Sequence, residues 1–244
     1  MPLSPKSLDF LFENRLHDSR EWFEEHKEQY RELVVRPMAE LVQELTPAAL
    51  EIDPEFTTEP RVDRTISRVR RDTRFSRDKS LYRDNVWLIF KRGKMHGTEL
   101  PGVYLEVTGQ GFSYGCGFYS ASTRYMNCLR ELVLKDDPAF RKAQRAFSVQ
   151  NVFVMEGECY KRPRFPGQPE EKRQWLERRN ICFSADSRDF DLLFSGRLGQ
   201  KAAEDLLLLK PVYEFLLHVS LLAGAREAEK TNPLKGPARP GTGK

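Results

Sequence analysis

The chain has 244 residues, 39% apolar and 31% charged, and its 40 basic and 36 acidic side chains leave a formal net charge of only +4. That balance excludes a histone-like polycation and suits a folded protein with a real core and a heavily charged surface, although the length allows one large domain or two small ones. The longest apolar stretch, Phe215–Ala223, is far short of the about 20 residues of a membrane span. Cys116, Cys128, Cys159 and Cys182 form no CxxC pair and the N-terminus has no signal-peptide pattern. They read as free thiols of a cytoplasmic protein without a membrane partner.

In chain order, Ser4-Pro5 marks a helix start, followed by an apolar face of Leu8, Leu11 and Phe12. Asp18 and Ser19 offer a second N-cap. Trp22, Phe23, His26, Tyr30, Leu33 and Val34 then fall on one broad helical face. Pro37, without an N–H, should kink or restart that helix, and Met38, Leu41, Val42 and Leu45 carry the periodicity to Thr46-Pro47.

The texture then turns to strands. "TISRVR" and "NVWLIFKR" are rich in β-branched and aromatic residues, while "GVYLEV" and "GFSYGCGFY" across "TGQ" form the clearest hairpin. Helices are predicted over Thr123–Leu134 and Pro138–Phe147. A hairpin is predicted from "NVFVME" and "GECYKRP", a short charged helix near Trp175, a strand at "NICFSA", and one long helix from Lys201 to Leu222. Helices at both ends of a central run of strands predict an α+β fold with a mainly antiparallel sheet. The expected arrangement is one domain over residues 1–223 and a disordered Pro/Gly/Lys-rich tail over 224–244.

Charge is concentrated in one place. Between Arg61 and Arg83 lie nine basic residues and three acidic ones, Asp63, Asp72 and Asp78. Such an excess focuses a field that a diffuse charge would not. Strand alternation puts Ile66, Arg68 and Arg70 on one face, and Ser67 and Val69 on the other. If Val69 faces the core, Arg68 and Arg70 project to solvent or to a ligand. Guanidinium forks suit phosphate. Arg68, Arg70, Arg74, Lys79 and Arg83 are therefore candidate anion ligands, with Asp72 and Asp78 orienting them. Phe75 and Tyr82 offer flat surfaces for stacking, and Phe75 is expected to be buried as the anchor of the loop. The plainer alternative is an internal ion-pair network pinning a long loop, since charge runs are often only solvated surface.

The strings "SREWFEEHKEQY" and "RDTRFSRDKSLY", followed by "GVYLEV" and "YGCGFY", resemble the bacterial and fungal family catalogued as domain of unknown function 2461. Its marks are an early N-R-x-W-F-x-x-H-K-x-x-Y helix and a central R-D-x-R-F-S-x-D-K-x-x-Y motif. The resemblance runs from Leu3 to about Leu222 and implies one α+β domain, with no reaction attached. The family usually has a proline before the motif's last tyrosine and a lysine after it. Here Leu81 and Arg83 stand at those places, so charge is kept and a stiffening proline is lost.

Other patterns are weaker. Gly115 and Gly117 precede a helix capped by Ser122 or Thr123. They suggest a bulge or tight turn, or else the far wall of the anion site. His26, with Asp72 and Asp78, is a candidate acid–base group for a phosphoester-processing enzyme. Asp72 and Asp78 suit Mg²⁺ only beside a bound phosphate, and His17, His26, His96 and His218 are too scattered for a metal site. "KRPRFPG" at Lys161–Gly167 is a second small basic cluster. The expected function is binding of a phosphorylated small molecule or nucleic acid at the Arg/Lys-rich segment, with no resident cofactor or metal. The rival readings are the enzyme and a scaffold of internal ion pairs.

Overall fold

The computed structural model describes residues 2–231 apart from residue 75, with side chains as far as residue 229. The fold is α+β: helices flank a five-stranded antiparallel sheet.

Helix α1 (Pro5–His17) starts where Ser4-Pro5 predicts, with Ser4 and Ser7 closing a reciprocal cap. Ser19 caps α2 (Arg20–Glu25) through the Trp22 amide. The chain continues through α3 (Lys27–Tyr30) and a π-helical turn (Arg31–Val35) into α4 (Arg36–Ile52). Pro37 explains that turn. Its ring would clash with the Leu33 carbonyl in a regular helix, and the widened turn, in which the Arg36 amide bonds back to the Arg31 carbonyl, relieves it. Pro37 then lies in the first turn of α4, where no donor is missed. That helix passes through Pro47 to Ile52 instead of stopping there.

Strands β1 (Val86–Lys91), β2 (Gly102–Thr108), β3 (Gly111–Gly117), β4 (Val154–Glu156) and β5 (Cys182–Ser187) are ordered β1-β2-β3-β5-β4. The β2–β3 hairpin is as predicted, pairing Thr108 with Gly111 and Gly102 with Gly117 without interruption. There is accordingly no bulge at Gly115 or Gly117. Gly115 instead allows a close approach of β5, for a methyl there would collide with the Phe183 carbonyl oxygen. Two strand assignments change. "TISRVR" makes only isolated bridges, Ile66 with Val62 and Leu88 and Arg70 with Tyr82. β4 pairs with β5 and not with the segment after it.

Helices α5 (Thr123–Leu134), α6 (Pro138–Val149) and α7 (Glu170–Leu176) match their patterns, and a short α8 (Phe190–Phe194) follows β5. The single C-terminal helix becomes two, α9 (Leu198–Leu208) and α10 (Lys210–Thr231), bent by 61°. Pro211 accounts for the break, by withholding an amide and disfavouring helical geometry at Lys210. α10 runs past the expected domain end at residue 223, and residues 232–244 of the expected tail lie outside the described ones. Phe140, Trp175, Phe183 and Phe215 join α6, α7, β5 and α10 in one aromatic cluster, with Trp175 5.4 Å from Phe140 and 5.3 Å from Phe183. Among the described residues no single helix is long and apolar enough to cross a membrane.

Candidate anion site

The basic segment lies along the free edge of β1. Ser67 exchanges hydrogen bonds with Trp87 and Ile66 bridges Leu88, so the chain runs antiparallel to β1 and leaves the sheet beyond Val86. Amides of Arg71 and Arg83 then bond to the carbonyls of Leu81 and Val69, closing a two-stranded bridge centred on Arg70 and Tyr82. As alternation predicts, Ser67 and Val69 are buried while Arg68 and Arg70 are exposed. Ile66, predicted to share the arginine face, is buried too.

Tyr82 is buried, and its ring stacks on Phe23 of α2 at 5.0 Å. It therefore packs and does not present a stacking face to solvent, and its hydroxyl has no hydrogen-bond partner among the described residues. Phe75, the other expected aromatic, lies outside the described residues. Asp18, at the end of α1, accepts the amides of Leu81 (2.7 Å) and Tyr82 (3.2 Å) through one carboxylate oxygen, tying the bridge to the α1–α2 turn.

Most of the cations are already engaged. Arg61 and Arg64 pair with Glu59, and Arg68 with Asp63. Arg74 pairs with Asp72 at 2.7 Å, and the Lys79 ammonium donates to the Thr73 carbonyl at 2.9 Å. Asp78 Oδ2 receives both Arg71 and, at 2.9 Å, Arg15 of α1. Its Oδ1 accepts the Ser80 amide and hydroxyl. These bonds, led by those from Ser80, hold the Asp78 carboxyl far below the usual range. The Arg74 side chain and amide bring Asp72 down to about 2. Among the described residues the side chains of Arg70, Arg77 and Arg83 have no hydrogen bond or ion pair, and the Arg83 Nε is buried without an acceptor. Arg70 lies in the field of Glu24, which Lys27 already holds at 2.8 Å.

His26 is placed otherwise than an acid–base group for these aspartates requires. Its ring stacks on Trp22 at 4.0 Å, and Nδ1 lies 2.8 Å from the Trp22 carbonyl. Nδ1 therefore carries the proton and donates it there. His17 covers the other side of Trp22 at 4.8 Å. Tyr30, expected in the same column, turns instead to Phe23 and Phe10. No hydrogen bond or ion pair joins His26 to Asp72 or Asp78 among the described residues. Nor do those residues contain a group of three or more His, Cys, Asp or Glu side chains gathered for a metal.

The chain belongs to the family of conserved hypothetical proteins DUF2461, whose model matches residues 6–215. No curated protein and no solved structure matches it. In this DUF2461 chain both motif strings meet in space: Arg15 and Asp18 from the α1 end reach Asp78, Leu81 and Tyr82, and Phe23 from "SREWFEEHKEQY" stacks on Tyr82.

One concave feature was missed in the sequence. A cavity of about 390 Å³ opens between the end of β3, the start of α5 and the start of β5, among Tyr119, Met126, Arg130, Glu158, Tyr160 and Arg179. Gly117, which leads into it, is at the strand end that carries Lys91, opposite the end where the basic segment leaves. The glycine-rich strand is therefore not the far wall of the basic site. Arg164 of the second basic cluster lies 3.8 Å over the Tyr160 ring, at the cavity's end of the sheet. The signal for the cavity was one cation in the apolar stripe of α5, where Arg130 is buried between Met126 and Val133.

Proposed function

We propose that the protein binds a phosphate-containing ligand, a nucleotide, sugar phosphate or nucleic acid, on the face formed by residues 68–83. The observation that supports this is the remainder left after internal pairing. Six of the nine cations are spent on holding the segment, while Arg70, Arg77 and Arg83 keep guanidinium donors with no partner among the described residues. The division of labour differs from the sequence reading. Arg68, Arg74 and Lys79 brace the loop, Asp72 and Asp78 order it, and Arg70 and Arg83 are the ligand-facing candidates. Arg70 is exposed and Arg83 half-buried, and an unpaired guanidinium group suits a phosphate, which accepts forked hydrogen bonds.

The test is binding of ATP and of a short single-stranded oligonucleotide to the wild type and to Arg70→Ala and Arg83→Ala. A charge-assisted hydrogen bond contributes about 1.5–3 kcal/mol, so each substitution is expected to weaken binding about tenfold or more. Lysine should restore only part, since it keeps the charge and loses the fork. Absence of binding to the wild type would leave the scaffold reading. The specific support for that second reading is the Asp78 carboxylate shared by Arg15 and Arg71, which pins the segment to α1.

A further inference from the structure

We propose that the cavity between β3, α5 and β5 is a separate binding site for a small organic phosphate carrying a planar ring. The inference does not rest on the reading of the basic segment, whose residues lie at the other end of the sheet.

Three observations carry it. The first is volume. About 390 Å³ falls within the range of small-molecule sites, roughly 300–1,000 Å³, and far exceeds what a lone inorganic anion fills. The second is charge. Arg130 lines the cavity with only 7% of its surface exposed, and no carboxylate pairs with it among the described residues. Its guanidinium donates to the carbonyls of Leu176 (3.0 Å) and Arg178 (2.5 Å) and to Asn127 Oδ1 (2.9 Å). These bonds explain how the side chain is held, with α7's last carbonyl among its acceptors. They leave guanidinium N–H groups unused, and the charge is offset only by the Tyr160 ring at 5.1 Å and the field of Glu177, with no carboxylate bonded to it among the described residues, which is costly for a buried cation.

Arg179, in the loop before β5, supplies a second cation to the lining. It is in direct contact with Glu158, both side chains more than half exposed, and such a pair is weak enough for a phosphate to displace. The first amides of α5, a twelve-residue helix, also border the cavity at Thr123, adding positive potential from free N–H groups. The third observation is the rim. Tyr119 is fully exposed there and Met126 forms part of the wall, so a planar ring can lie on the tyrosine while its phosphate reaches the arginines. Tyr160 does not compete for that role, because Arg164 at 3.8 Å and Arg130 at 5.1 Å already stack on its ring.

The experiment titrates AMP, phenyl phosphate, adenosine and inorganic phosphate into the full chain, read by calorimetry and thermal shift. The variants are Arg179→Ala, at an exposed position, and Ala121→Trp, at a partly buried one beside the core, and the folding of both is checked by circular dichroism. AMP or phenyl phosphate should bind. Arg179→Ala should weaken that binding about tenfold, the loss of one charge-assisted hydrogen bond, and Ala121→Trp should abolish it by filling the cavity. The same titrations in the Arg70→Ala/Arg83→Ala double variant, which lacks the ligand-facing arginines of the basic segment, should keep the binding component that Ala121→Trp removes, and this separates the two sites. The proposal is overturned if neither ring phosphate binds, or if Ala121→Trp binds like the wild type. Adenosine binding as well as AMP would refute the anion requirement, and inorganic phosphate binding as well as AMP would refute the ring.

Discussion

Asp53 shows how single residues fix this protein's electrostatics. Its side chain is 1% exposed, and burial by itself would push its carboxyl up. Hydrogen bonds from Arg92 Nε (2.6 Å), Tyr213 (2.6 Å) and the Glu55 amide outweigh that effect and leave it below its ordinary value. A carboxyl depressed in the folded state binds fewer protons there than in the unfolded chain. Its contribution is therefore complete above the unfolded value, about 3.9, and is lost as pH falls through the folded one. Arg92→Met should strand the buried charge and lower stability by about 3–5 kcal/mol at neutral pH. Urea melts from pH 7 to 3 should show the wild type losing this margin in acid and the variant, already low, losing less. A second buried carboxylate makes a parallel case: Asp205 accepts the Tyr114 hydroxyl at 2.6 Å and the Lys201 ammonium. Tyr114→Phe is expected to cost about 1–3 kcal/mol, measured by the same melts.

At the scale of elements, the closeness of β3 and β5 depends on glycine. Gly115 faces Ser184 in register, and any side chain there meets backbone, which cannot swing aside as a flexible side chain would. Gly115→Ala should therefore separate the two strands locally. Faster hydrogen exchange at amides of β5, with those of β1 and β2 unchanged, is the expected readout, along with a loss of about 1–3 kcal/mol from overpacking. The loop leaving β3 and the loop entering β5 line the cavity, so the variant should also weaken any ligand held there. A chain that tolerated alanine with unaltered exchange would show that β5 can shift without cost.

Across the whole molecule, the basic segment acts as a strap between the N-terminal helices and the sheet edge. Arg15 and Asp18 hold it from α1, Phe23 from α2, and Ser67 joins it to β1. Asp78→Ala removes the shared partner of Arg15 and Arg71, leaving two guanidinium groups facing each other without a counter-charge. Because those groups are exposed or partly exposed, the global loss should be small. The local effect should be larger, seen as faster proteolytic cleavage between residues 71 and 81. Cleavage at the wild-type rate would mean that Asp18 and the Arg70–Tyr82 bridge suffice to hold the strap.

Local patterns in the sequence determined much of this architecture. Ser4-Pro5 and Ser19 mark real caps because a side-chain oxygen and a fixed φ act within one turn. The β2–β3 hairpin is legible because alternation and a glycine turn are properties of neighbouring residues. The concentration of nine cations was also visible, as was the solvent-facing side of Arg68 and Arg70. Folding decided which of those cations are occupied: Glu59 takes Arg61 and Arg64, Asp63 takes Arg68, and Asp78 takes Arg71 together with Arg15 from α1. It turned Tyr82 inward against Phe23 and His26 onto Trp22, because stacking partners come from packing and not from spacing. It also made the cavity, whose walls come from the loop after β3, α5, the loop before α7 and the loop before β5. A concave surface has no signature in one dimension: only the packing of loops distant in sequence brings Tyr119, Arg130 and Arg179 around one space.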